Sequence, residues 1–260
     1  DLNSFVSINK AILWGRSLYL NIRRFIYFQM TINVCACLLV LVGAFLGVDS
    51  PLTVTQMLWV NLIMDTFAAM ALSSLPADPK VFDEKPRDPE SHIIDRSMLK
   101  RIVFGGMSFF GILIVLWEVL LHADVRSVSD LFSWTLIKDA LAGTMGASAS
   151  EMTRYEMGIF FTTFVMLQFW NMFNAKYFAT RRSLLLDLMD LVRKPQVVKE
   201  SYSGYFLAIS LVIVLGQVLI VNFASDLFGV SPLTPSDWCW ILLLTSPVLL
   251  LPDVVRTIRR

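Results

Sequence analysis

The sequence predicts an all-α membrane protein, a six-helix transmembrane bundle whose first helix carries a cytoplasmic stalk extension. Three observations point there. Of the 260 residues, 56% are hydrophobic and the mean hydropathy is +0.64, whereas soluble domains carry roughly 45–50% apolar residues. The apolar residues fall into six runs, most of them near the roughly 20 residues that a helix needs to cross a hydrocarbon core of about 30 Å. Lys and Arg gather between alternate runs. Helices are the expected form because lipid leaves backbone groups to be satisfied within their own segment, and the short alternating segments of a β-barrel are absent.

The runs cover residues 25–47, 54–75, 102–121, 157–175, 204–224 and 238–255, the last being marginal in length. Residues 1–24 read as the stalk and 25–260 as the membrane domain. The first two runs are joined by a tight hairpin, Gly47 to Pro51. The loop 76–101 holds Pro76, Pro79, Pro86 and Pro89 among charges and is expected to be extended, because Pro does not continue a helix. In the loop 122–156, Val128–Leu141 reads as a short surface helix and 143–150 as flexible. Residues 183–192 have helical apolar spacing. They either lie flat on the inner membrane surface or pack on the rest of the protein.

Nineteen of the 22 Lys and Arg lie before the first run, in 76–101, in 176–203 and in the tail. Only Arg126, Lys138 and Arg154 fall on the other side. The positive-inside rule places the nineteen in the cytoplasm. Both termini are then cytoplasmic, and the number of spans is even. The chain opens at Asp1 with no initiator Met and no basic-then-apolar leader, so it is expected to be a piece of a longer chain. Net charge is +1, and no nucleic-acid partner is expected. Cys35, Cys37 and Cys239 lie in apolar runs at spacings that match neither a zinc site nor a disulfide framework, and read as small buried hydrophobes.

Ionisable groups inside a bilayer are costly and mark pathways. Asp65 is the one acid near the middle of a span. Asn61 lies four residues earlier, on the same face of a regular helix. A hard cation such as Ca²⁺ prefers carboxylate and amide oxygens and takes six to eight of them. Other helices or freed backbone carbonyls must therefore contribute. The competing reading is an Asp hydrogen-bonded for packing; no Lys or Arg lies mid-span to pair with it. Asn33, with Gln29 one turn below, is either a further oxygen facing this pair or an interhelical hydrogen-bonding group. Gln168 in the fourth run poses the same choice. Gln217 and Asn222 read as packing groups. No phosphate-binding glycine loop and no nucleophile-and-base pair is visible, so this stretch alone has no catalytic machinery.

The residues at this point carry a family likeness. The run Leu-Trp-Val-Asn-Leu-Ile-Met-Asp-Thr-Phe-Ala-Ala-Met-Ala-Leu (58–72) resembles the sixth transmembrane helix of P-type Ca²⁺-ATPases. Ala-Ile-Leu-Trp-Gly-Arg-Ser-Leu-Tyr-Leu-Asn-Ile-Arg-Arg-Phe-Ile (11–26) resembles the stalk entering the fifth helix, which Phe-Gln-Met-Thr-Ile-Asn-Val (28–34) continues. Phe164–Lys176 resembles the eighth. The likeness is strongest over 1–90 and weakest in the last two runs. It implies that Asn61 and Asp65 are calcium ligands, with Asn33 nearby and Gln168 in the position of a ligand Glu. Ala36 and Met64 stand where two-site pumps have ligands, and Ala36 and Gln168 match the plasma-membrane kind. The implied function is the C-terminal transmembrane half of an ATP-driven, one-calcium pump in a plasma membrane or bacterial inner membrane. Its implied partners are the lipid membrane and the N-terminal part of the same pump, namely four helices and the actuator, phosphorylation and nucleotide domains. ATP and Mg²⁺ would act there, not on this chain. A pump for another cation, or a stand-alone six-helix channel or transporter subunit, is the alternative.

Overall fold

A computed structural model describes residues 4–46, 51–77, 79–82, 91–122, 125–132, 152–180, 184, 187, 189, 204–250 and 252. The hairpin 47–50, most of the expected surface helix 128–141, the segment 143–150 and the tail beyond 252 lie outside the described residues. Those described form helices, with no strand among them.

Helix α1 (Phe5–Leu46) runs unbroken through the expected stalk and first span. At 1.5 Å per residue its 42 residues reach about 63 Å, twice a hydrocarbon core. The second span is composite: α2 (Val54–Leu58), a π-helical turn (Trp59–Met64) and α3 (Asp65–Ser73). Thr53 and Gln56 form a capping box at its start, and Gln56 Nε2 also donates to the Phe228 carbonyl at 2.8 Å.

Helix α4 (Arg96–His122) starts six residues before the apolar run. Asp95 explains the earlier start: its carboxylate accepts from the Met98 N–H at 2.6 Å, an N-cap that supports a charged first turn. Gly105 and Gly106 let α4 approach α1. A Cβ on Gly106 would lie 2.6 Å from Val34 Cγ1 and 3.0 Å from the Thr31 carbonyl. Small residues permit such contacts between membrane helices, where packing rather than the hydrophobic effect drives association.

Helix α5 (Arg154–Lys176) is the axis of the bundle, buried on all faces from Gly158 to Lys176 apart from Trp170 and Phe173. Helix α6 (Gly204–Phe223) fills the fifth run and leads into the short α7 (Ser225–Phe228) and then α8 (Pro235–Thr245). The chain turns at Ser246, before Pro247, and resumes helix to Leu250.

Among the described residues, four helices are long and apolar enough to cross a membrane: Phe5–Phe45, Val54–Ser73, Arg96–Leu121 and Gly204–Phe223. The expectation of six is not met at that standard. The helix of the fourth run carries Glu156, Gln168, Asn171, Asn174 and Lys176 and is buried on nearly all faces, and the sixth run forms a shorter helix interrupted at Ser246. Two expectations change further. Cys37 and Cys239 face outward and only Cys35 is buried, all three being free thiols. In the loop expected to be extended, Pro79–Phe82 is a 3₁₀ turn.

The stalk is tied to the segment after the second span. Arg16 donates to the Val81 carbonyl at 2.8 Å and Asn21 to that of Leu75 at 3.3 Å. Arg23 pairs with Asp95 at 2.6 Å. Tyr27 stacks on Phe178, with the Arg23 and Arg101 guanidinium groups over the same ring. Asp187, from the segment 183–192, is buried against α5. Its carboxylate lies 3.5 Å from Lys176 Nζ and accepts from the Tyr177 hydroxyl at 2.9 Å. At that residue the packed reading holds over the membrane-surface one.

Candidate cation-binding site

The π-helical turn sets the geometry. The Asp65 N–H reaches back five residues to the Val60 carbonyl instead of four, and such turns occur often at functional sites. Asn61 lies within that turn and Asp65 directly follows it. Asp65 is buried at 5% exposure, while Asn61 is exposed. The expectation that both side chains point one way is not matched by their burial in this conformation.

Asp65 opens α3 against the middle of α1. Gln29 Nε2 donates to its Oδ2 at 3.4 Å. Its Oδ1 is buried with no hydrogen-bond partner. A buried carboxylate oxygen left unsatisfied is costly, and it marks a place where a ligand, ion or water completes the arrangement. Asn33 sits one turn beyond Gln29 on α1 and is half-buried. Gln168 on α5 is fully buried, and both its amide oxygen and its amide nitrogen lack partners. Close by in sequence, Asn171 Nδ2 donates to the Phe28 carbonyl at 3.4 Å, which fastens α5 to α1 beside Gln29. Ala36 and Met64 are buried and bring no side-chain oxygen.

The structure thus joins α1 to α3 through Gln29 and Asp65 and gives Gln168 an unsatisfied amide on α5. It does not bring Asn61 onto the carboxylate. Among the described residues no three His, Cys, Asp or Glu side chains gather as metal ligands. Asp65, Asn33, Gln168 and a reoriented Asn61 would supply fewer than the six to eight oxygens Ca²⁺ takes. A carboxylate with neutral amides is the donor chemistry a hard cation takes, but the side chains gathered here are too few to complete its shell. Sequence reasoning noted Gln29 only as a neighbour of Asn33. Its role as the Asp65 donor was readable only as the four-residue spacing of two amides on one helix face.

A second polar cluster lies at the other end of α5 and serves structure. Glu156 completes the α5 capping box with Thr153 and also accepts from the Val125 N–H at 3.3 Å. Asp237 completes the α8 capping box with Thr234. It further accepts from the Tyr155 hydroxyl at 2.7 Å and the Val128 N–H at 3.1 Å. Burial alone would raise the Asp237 pKa. The Thr234 and Tyr155 hydroxyls and the Val128 and Thr234 N–H groups outweigh it and hold the carboxyl below its ordinary range.

Comparison with known proteins places this geometry. Residues 49–258 match the family model described as cation transporting ATPase, C-terminus. The chain is 33% identical over 261 residues to plasma membrane calcium-transporting ATPase 3 of Homo sapiens, covering 98% of the chain and 19% of that protein. It is 33% identical over 256 residues to plasma membrane calcium-transporting ATPase 1 of Gallus gallus, and 31% identical over 256 residues to plasma membrane calcium-transporting ATPase 4 of Bos taurus, with the same coverage. The chain spans about one fifth of the length of these relatives.

Proposed function

Because the chain belongs to the cation-transporting ATPase family, as its C-terminal part, we propose that it is the ion-binding membrane half of an ATP-driven Ca²⁺ pump. The single observation that carries this reading is Asp65: a carboxylate buried in a membrane-crossing helix, beside a π-helical turn, with one oxygen unsatisfied. Asp65 supplies the charge that draws the ion. Asn33, Gln168 and Asn61 supply neutral oxygens. The remaining ligands come from other helices of the pump. ATP and Mg²⁺ act on the part of the pump outside this chain, and α1 carries the resulting movement to the site.

The arrangement of α5 supports a fifth span, and the shorter apolar helix Pro235–Leu250 is then the sixth. Its far end shares the Val125, Val128 and Asp237 cluster, just past the end of α4, and its near end places Phe178 beside Arg101 in the first turns of α4. A helix whose two ends meet both ends of a spanning neighbour spans as well. Six spans put both termini on one side, and the distribution of Lys and Arg makes that side the cytoplasm.

The test is ATP-dependent Ca²⁺ uptake into inverted vesicles by the full-length pump that contains this chain. Asp65→Asn keeps the shape and removes the charge, and uptake is expected to fall to background. Full uptake by that variant would sink the reading.

A further inference from the structure

We infer that Gln29 is a positioning residue for the ion: it fixes the orientation of the Asp65 carboxylate from the facing helix. The inference rests on the calcium-site reading and adds to it a residue that the family likeness does not assign.

Gln29 and Asp65 are 36 residues apart in sequence and belong to different helices, so their contact is a product of the fold. The Gln29 amide is the one hydrogen-bond donor to the Asp65 side chain among the described residues, and it reaches Oδ2 alone. The terminal torsion of an Asp is broad, with no sharp rotamer of its own. A single donor therefore selects how the carboxylate plane is turned. Holding Oδ2 leaves Oδ1 as the oxygen presented to a ligand, and Oδ1 is the atom the structure leaves unsatisfied.

The chemistry of the donor suits this task. A Lys or Arg at residue 29 would neutralise Asp65 and compete with a cation for it. A neutral amide orients the carboxylate and preserves its charge. The bond is long, at 3.4 Å, so it breaks with a small shift of α1 against α3. The same α1 face carries Asn33 one turn on, so Gln29 also sets the register between ligands on two helices.

The experiment uses the full-length pump, with Ca²⁺ as the probe. Gln29→Leu and Gln29→Met both remove the donor, and Met retains the length and flexibility of the side chain. Half-saturating Ca²⁺ for uptake, maximal uptake, and thermal stability with and without saturating Ca²⁺ are measured for each. A positioning role raises half-saturating Ca²⁺ on the order of fivefold, the effect of about one hydrogen bond, and leaves maximal uptake within about twofold. It also shrinks the stabilisation that Ca²⁺ confers. Unchanged half-saturating Ca²⁺ overturns the inference. So does failure of both variants to accumulate, or an equal loss of stability with and without Ca²⁺, since either assigns Gln29 to helix packing. Asp65→Asn, run alongside, separates the two ideas. If it loses uptake while both Gln29 variants match the parent, the calcium site stands and only the role of Gln29 falls.

Discussion

Asp237 and Asp65 are both buried carboxylates, and their surroundings give them opposite uses. Asp237 is enclosed by donors from Thr234, Tyr155, Ser127 and Val128. A carboxylate satisfied in this way fixes structure and has nothing left to offer a ligand. Replacing it by Asn turns one acceptor into a donor facing donors, and is expected to destabilise the protein by about 2–4 kcal/mol, read as a lower thermal midpoint in detergent. The pH dependence has a definite sign. With the folded pKa held below the free value of about 3.9, the contribution is complete above that value and is lost as pH falls through the folded pKa. The gap between parent and Asp237→Asn should be full at pH 7 and narrow only as pH falls below the free value of about 3.9. A gap independent of pH would show that the charge is not what matters. Asp65, with one weak donor and one bare oxygen, is the opposite case. Asp65 stands out in the sequence because an acid alone in an apolar run has no ordinary reason to be there. The donor that holds it was not legible, since the pairing of two helices is not written in the spacing of either one.

The helices show where sequence patterns inform and where they stop. Run lengths gave the second span, α6 and the C-terminal end of α1 to within about two residues, because lipid sets both their length and their composition. The start of α4 was missed by six residues, since the charges Arg96, Lys100 and Arg101 read as loop while Asp95 caps a helix there. The π-helical turn Trp59–Met64 has no compositional signature; in the fold its first residue is tied to α6, Trp59 Nε1 donating to Gln217 Oε1 at 3.2 Å. Glycines likewise divide by what they face. Gly106→Val would drive its side chain into Val34 and the Thr31 carbonyl. Backbone cannot yield cheaply, so a loss of 3 kcal/mol or so, or failure to accumulate, is expected. Gly111→Ala meets nothing within 4 Å on the same helix and should be neutral or stabilise by up to about 1 kcal/mol through helix propensity. Thermal unfolding of the two variants side by side checks the α1–α4 contact, and equal effects would refute it.

At the scale of the whole molecule, the proposed six-span reading requires that apolarity alone undercount the spans, because apolarity tracks exposure to lipid and α5 has little. Lipid requires apolar side chains only where a helix touches it. A helix enclosed by others is free to carry Gln168, Asn171, Asn174 and Lys176 and still cross. At 23 residues α5 is about 35 Å long, more than a hydrocarbon core. Its polar ends lie where a crossing helix needs them, Arg154 and Glu156 at one and Lys176 at the other. The distinction can be measured by attaching a membrane-impermeant thiol reagent to single cysteines in the full-length pump after Cys35, Cys37 and Cys239 are replaced. Six spans predict that Ser129→Cys and Ser231→Cys label from one face, and that Ser91→Cys and Thr180→Cys label from the other. Ser129 and Thr180 flank α5, so labelling of both from the same face would mean that α5 does not cross. In that event Gln168 would not lie at the depth of Asp65, and a site built from α1, α3 and α5 would lose one of its three walls.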